Sequence, residues 1–269
     1  MRFAERWRER KGVASRSLLV MAAVVLAFLP IVFLGAASDP MILWKIVNGR
    51  CVVDQKRFGH PAPCARVDLA AGYAILKDMA GQTQYLLIPT ARITGIESPA
   101  LLQPGTPNYF AEAWGESGLV GVRLGHALPR QDLSLAINSV HGRTQQQLHI
   151  HIDCLSIPVE AALARHAGAL TGSWAPFPEP LDGHRYQAMR ITGASLGAAD
   201  PFRLLADHLP GAASNMGAYT LVLAGVQLPG GQPGFILLAD EADLARANFG
   251  SGEELQDHDC AIGHPHAAL

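Results

Sequence analysis

The sequence predicts an α+β protein, an antiparallel sheet with flanking helices, held behind one N-terminal transmembrane helix. Three observations carry this. Leu18 to Ala37 is a run of twenty residues without a charge, long enough as a helix to cross a hydrocarbon core of roughly 30 Å. Beyond it, apolar β-compatible runs come in pairs joined by turn-forming residues, as hairpins require. Between the pairs lie stretches with helical patterning, Asn108 to Val122 and Val159 to Ala169.

The N-terminal segment sets the topology. Arg2, Arg6, Arg8, Arg10, Lys11 and Arg16 outnumber Glu5 and Glu9 before the apolar run, a bias that keeps residues 1–17 as a cytoplasmic basic tail and exports the rest of the chain. Residues 18–38 then form the anchor and 39–269 a single periplasmic domain. A cleaved signal is the alternative, because Leu34-Gly-Ala-Ala-Ser38 ends in small residues, but the apolar run exceeds the roughly 7 to 15 residues of a signal core. Six of the 21 Lys and Arg and two of the 23 Asp and Glu lie before Asp39, leaving the exported part at −6. That balance excludes a basic nucleic-acid footprint.

Taken in order, Ile42 to Val47 predicts a short helix, and Pro61-Ala-Pro63 a turn before Cys64. Tyr73 to Leu76 and Gln84 to Ile88 form the first hairpin, turned by Asp78 and Gly81 and closed by Pro89. Asn108 to Val122 reads as one amphipathic helix carrying Phe110, Trp114 and Leu119. A second hairpin pairs Leu133 to Asn138 with Leu148 to Asp153 around a turn holding His141 and Gly142. Tyr219 to Val226 and Phe235 to Ala239 make a third, followed by a helix-like Glu241 to Asn248. Strand-turn-strand-helix thus occurs in both halves, a hint of duplication without a fixed repeat.

Four cysteines fit an oxidising compartment, and none forms a C-x-x-C pair. The favoured pairing joins Cys51 to Cys64 across a Pro-rich loop and Cys154 to Cys260, tethering the tail.

The chemistry concentrates on the second hairpin. Alternate strand residues share a face, so Gln147, His149, His151 and Asp153 point one way and Leu148, Ile150 and Ile152 the other. Three readings stay open on the residues alone: polar strand residues without chemistry, a zinc or iron site built on H-x-H with Asp153, or an imidazole nucleophile acting at phosphorus. The uncharged donors Asn138, Thr144, Gln145 and Gln147 nearby suit a substrate that carries its own charge.

Gly142-x-Thr144-x-x-Gln147-Leu-His149-Ile-His151-Ile-Asp153 resembles the active-site strand of the histidine triad superfamily, and Ile75-Leu-Lys-Asp78 with Tyr85-Leu-Leu-Ile-Pro89 resembles its first core hairpin. Trp44-Lys-Ile-Val, Cys51, Cys64, Gly95-Ile-Glu-Ser-Pro99, Thr106-Pro-Asn108, Leu135-Ala-Ile-Asn138, Gly183-His184 and Gln256-Asp-His-x-Cys260 make the whole from Met41 to Cys260 similar to the bacterial CDP-diacylglycerol pyrophosphatase family.

The resemblance implies a histidine triad-like sheet in the bacterial inner membrane, hydrolysing CDP-diacylglycerol to CMP and phosphatidate without metal or other cofactor. It makes His149 the nucleophile, His151 its supporting neighbour, and Gln147 the occupant of the first triad position, where the superfamily has histidine. In that reading Thr144 and Gln147 contact phosphoryl oxygens, Gln145 belongs to the substrate-binding residues, Asn138 steadies the catalytic loop or the nucleophile's ring, Lys77 and Asp78 lie where ribose binds, and Arg190 and His184 hold the second phosphate. A histidine at position 147 would then be tolerated. The stretch from 155 to 260 exceeds a minimal triad domain, and a lipid-handling surface would account for it. The rivals are a periplasmic hydrolase of soluble nucleoside diphosphate derivatives and a non-catalytic nucleotide- or lipid-binding membrane protein. The oligomeric state is left open, a dimer included.

Overall fold

The computed structural model describes residues 39–264. The expected cytoplasmic tail and the anchor at 18–38 lie outside the described residues, among which no helix is long and apolar enough to cross a membrane.

The chain opens on helix α1 (Ile42–Ile46), continues through a π-helical turn at Val47–Cys51 and ends in α2 (Val52–Phe58). The helical segment is therefore longer than the apolar run alone suggested, and it stops where Gly59 takes a left-handed conformation with φ 74°. The Cys51–Cys64 disulfide holds it to the start of strand β1 (Arg66–Asp68).

β2 (Tyr73–Lys77) and β3 (Tyr85–Pro89) form the first expected hairpin. The single helix expected over 108–122 is instead α3 (Tyr109–Gly115) and α4 (Gly118–Leu124). Asn108 caps the first by accepting the Ala111 amide, and Gly115 and Gly118, poor helix formers, flank the break.

β4 (Leu133–Ile137) and β5 (Ile150–Leu155) pair as expected, Leu133 opposite Cys154 and Ala136 opposite His151. Their connection is a long loop rather than a tight turn. Next come α5 (Ile157–His166), β6 (Ala175–Pro176), β7 (Gln187–Thr192), α6 (Pro201–His208), the long hairpin β8 (Tyr219–Leu228) and β9 (Gln232–Glu241), and β10 (Gln256–Asp257). The expected helix at 241–248 is a short 3₁₀ turn over Leu244–Arg246, because β9 runs on through Glu241 and an Asp243–Asn248 bridge closes the segment.

All ten strands join one antiparallel sheet in the order β1-β2-β3-β5-β4-β8-β9-β7-β6, with β10 added to the end of β5. One face carries Ile75, Leu87, Leu135, Ile152, Leu223 and Leu237 under α3, α4 and α6. The other face has two separate covers. α1 and α2 lie over β1 to β3, with Leu43 and Val47 against Ala74, Leu86 and Ile88. α5 lies over β4, β8 and β9, with Val159 and Leu163 against Ala136, Val222 and Ile236. Between these covers runs the polar face of β5.

Candidate active site

The strip left between the two helical covers is a cleft of about 440 Å³ with His149 and His151 among its lining residues. Strand alternation puts Ile150 and Ile152 into the main core and turns His151 and Asp153 the other way.

His149 stands on the last loop residue before β5. Its Nδ1 donates to the Gln147 carbonyl at 2.7 Å, which leaves the lone pair on Nε2. Burial, reinforced by His151, holds its pKa down to about 4, so the ring is neutral near pH 7. The His151 ring meets it edge to face at 5.0 Å. Burial also lowers His151, against the pull of Glu253. Glu253 Oε2 lies 3.1 Å from His151 Nδ1, yet off the line of a hydrogen bond, so among the described residues neither nitrogen of this buried ring has a hydrogen-bond partner.

Glu253 is held from two sides. Asn138 Nδ2 donates to its Oε1 at 2.8 Å. Its neighbour Glu254 faces away and is gripped by His184 Nδ1 and the Tyr186 hydroxyl, each at 2.7 Å. Further along, His258 Nδ1 donates to the buried Asp153 at 2.8 Å, while its Nε2 lies 3.9 Å from Glu253. The bond to Asp153 raises the His258 pKa. Asp153 also accepts from Thr83 and from the Cys154 amide, which occupies the carboxylate that the H-x-H metal reading required. The second disulfide, Cys154–Cys260, fixes this tail against β5.

Several expected residues do meet here. Asn138, Thr144, Gln145, Lys77 and Asp78 all line the cleft. Lys77 is turned partly inward, its Nζ donating to the carbonyls of Asp78 and Gly81. Three others do not. The Gln147 amide is fully buried below the cleft, donating to Pro89 O at 3.0 Å and Ala91 O at 2.9 Å and accepting from Arg92 at 3.0 Å. It pins the loop before β5 to the end of β3. His184 acts behind the site through Glu254, and Arg190 lines a separate depression with Thr192, Pro229 and Gln232 on the second half of the sheet.

The sequence reading missed Glu253. Nothing in its spacing links it to β5, and only the return of the tail beside that strand brings it to His151. His258 stood inside the Gln256-Asp-His-x-Cys260 motif and could have been weighed there. The loop between β4 and β5 is clamped by a two-pronged Arg143–Glu97 pair at 2.7 and 2.6 Å.

One side of the lining is apolar, Ile42, Leu43 and Ile46 from α1 with Leu76, Met79 and Leu86 from the β2–β3 hairpin, while Gln84 and Arg143 add polar groups. The lipid-handling surface expected in 155–260 is thus not the apolar part of this cleft; that stretch builds the far half of the sheet, the α5 cover and the tail. An α+β sheet protein with neutral buried imidazoles beneath an apolar wall has the parts of a hydrolase for an amphipathic phosphate ester. The chain belongs to the CDP-diacylglycerol pyrophosphatase family, whose family model matches residues 38–264. A CDP-diacylglycerol pyrophosphatase of Yersinia pestis is 44% identical over 247 residues, covering 92% of this chain and 94% of that protein.

Proposed function

We infer that the protein hydrolyses the pyrophosphate of CDP-diacylglycerol to CMP and phosphatidate through a nucleotidyl group carried on His149. The observation that carries the mechanism is the bond from His149 Nδ1 to Gln147 O, which fixes the tautomer with Nε2 as nucleophile in a ring that burial keeps neutral.

In the first step the Nε2 lone pair forms a bond to the phosphorus bearing cytidine as the bond from that phosphorus to the bridging oxygen breaks. Phosphatidate leaves with the electron pair. A phosphate monoester has a second pKa near 6, so its departure needs little protonation, and no acid at position 147 is required. The proton on Nδ1 stays on the Gln147 carbonyl side and spreads the charge of the phosphorylated ring. In the second step water attacks the same phosphorus, the P–N bond breaks, and CMP is released. His151, whose two nitrogens have no hydrogen-bond partner among the described residues and which lies beside Glu253, takes the water's proton.

Thr144 and Gln145 contact phosphoryl oxygens, and Lys77 and Asp78 lie toward the nucleotide. Asn138 holds Glu253. The two disulfides support an oxidising, periplasmic setting, and the uncharged run from Leu18 to Ala37 supports a single-pass inner-membrane anchor.

The test is incubation of the purified protein with CDP-diacylglycerol, followed by mass spectrometry for CMP and for a CMP adduct on His149. His149→Ala should fold and be exported but show neither product nor adduct; full turnover in that variant would refute the assignment.

A further inference from the structure

The apolar side of the cleft plays no part in the chemistry above. Ile42, Leu43, Ile46, Leu76, Met79 and Leu86 lie on the same cavity as His149 and His151. Leu43 anchors α1 into the core, but Ile42 is 41% exposed and Met79, in the turn of a hairpin, is 99% exposed. A side chain that apolar, standing wholly in water beside a catalytic cleft, has no role in the fold.

Two further observations identify what covers it. The uncharged run ends at Ala37 and α1 begins at Ile42. Only four residues of sequence separate the uncharged run from the helix that walls the cleft. The same helical segment exposes Arg50, Lys56 and Arg57 together with Phe58, and Lys45 paired with Asp39, a basic and aromatic surface on a domain whose net charge is −6. Such a face is attracted to anionic headgroups and inserts its aromatic ring at the interface.

We propose that α1 and the β2–β3 turn form the site for the diacylglycerol part of the substrate, receiving it from the bilayer surface while its pyrophosphate reaches His149. This rests on CDP-diacylglycerol being the substrate. The glycerol ester and upper acyl chains lie against Ile42, Ile46, Leu76 and Met79, and the basic face of α1 and α2 rests on the headgroups. Discrimination in favour of the lipid over its water-soluble headgroup then resides in the first helix of the domain, far in sequence from the catalytic strand.

The experiment measures kcat/KM for dioleoyl CDP-diacylglycerol in mixed micelles and for CDP-glycerol, its counterpart without acyl chains. The full chain is compared with Ile42→Ser and Met79→Ser, both at exposed positions where the fold tolerates a polar residue. Each variant should lower the ratio of the two values about tenfold, since burying one such side chain is worth at least a factor of that order. An unchanged ratio, or an equal fall in both values, would overturn the proposal while leaving the activity in place. Absence of turnover in the unmodified protein would instead remove the functional reading, and the proposal with it.

Discussion

Glu253 Oε2 lies 3.1 Å from His151 Nδ1, bringing the turn before β10 to the start of β5. Its second oxygen takes the Asn138 amide at 2.8 Å, which holds the carboxylate toward the ring. Glu253→Gln keeps the shape and removes the charge that would stabilise a protonated His151. Phosphatidate should appear in a burst, CMP should follow slowly with kcat down about 100-fold, and the His149 adduct should accumulate in rapid-quench samples. Slower turnover with no adduct would assign Glu253 to the first step.

The depressed His149 pKa makes a prediction about pH. Because burial holds it to about 4, kcat/KM should remain level as pH falls through 6.5 and decline only as it approaches 4; an acid limb centred at 6.5 would mean a solvated ring. Stability carries the same sign. Between 6.5 and 4 the unfolded chain binds a proton that folded His149 does not, so stability present above 6.5 is lost toward pH 4, by about 3 kcal/mol. His258, raised by Asp153, works oppositely: its contribution is complete below 6.5 and is lost as pH rises through its folded value. Urea titrations across this range read both effects.

Gln147→Ala should be strongly destabilising. It leaves Pro89 O and Ala91 O without the Gln147 donor and takes from Arg92 one of its acceptors, the Gln146 carbonyl remaining, a cost of about 2–4 kcal/mol, measured as a lower denaturation midpoint. Gln147→His should fail similarly, because an imidazole cannot present two donors and an acceptor in the amide's positions. This reverses the expectation from the triad pattern.

Cys260→Ser opens a bridge that closes a separation of 106 residues. In the chain-entropy model the loss is about 5 kcal/mol. Activity should fall as well, since the tail carries Glu253 and His258. Thiol treatment of the unmodified protein should reproduce the effect on turnover, and full activity after reduction would separate the bridge from the site.

The strand pairs were legible because period-two patterning and turn residues are local: β2–β3, β4–β5 and β8–β9 stand where alternation placed them. The histidine face was legible for the same reason. The break at Glu116-Ser117 was not, since the apolar positions continue through it and only the weak helix formers on either side mark it. Strand parity was extended past the start of β5 at Ile150, where the chain is still loop; there His149 faces the cleft but the Gln147 amide turns inward to Pro89 and Ala91. Glu253 and the α1 wall were invisible because they reach the cleft only through tertiary packing.

The cleft is completed by the last described turns of the chain, while its histidines lie about midway along it. The chain must therefore bring together positions about a hundred residues apart before Glu253 can stand beside His151, and the Cys154–Cys260 bridge ties the two ends of that excursion to each other.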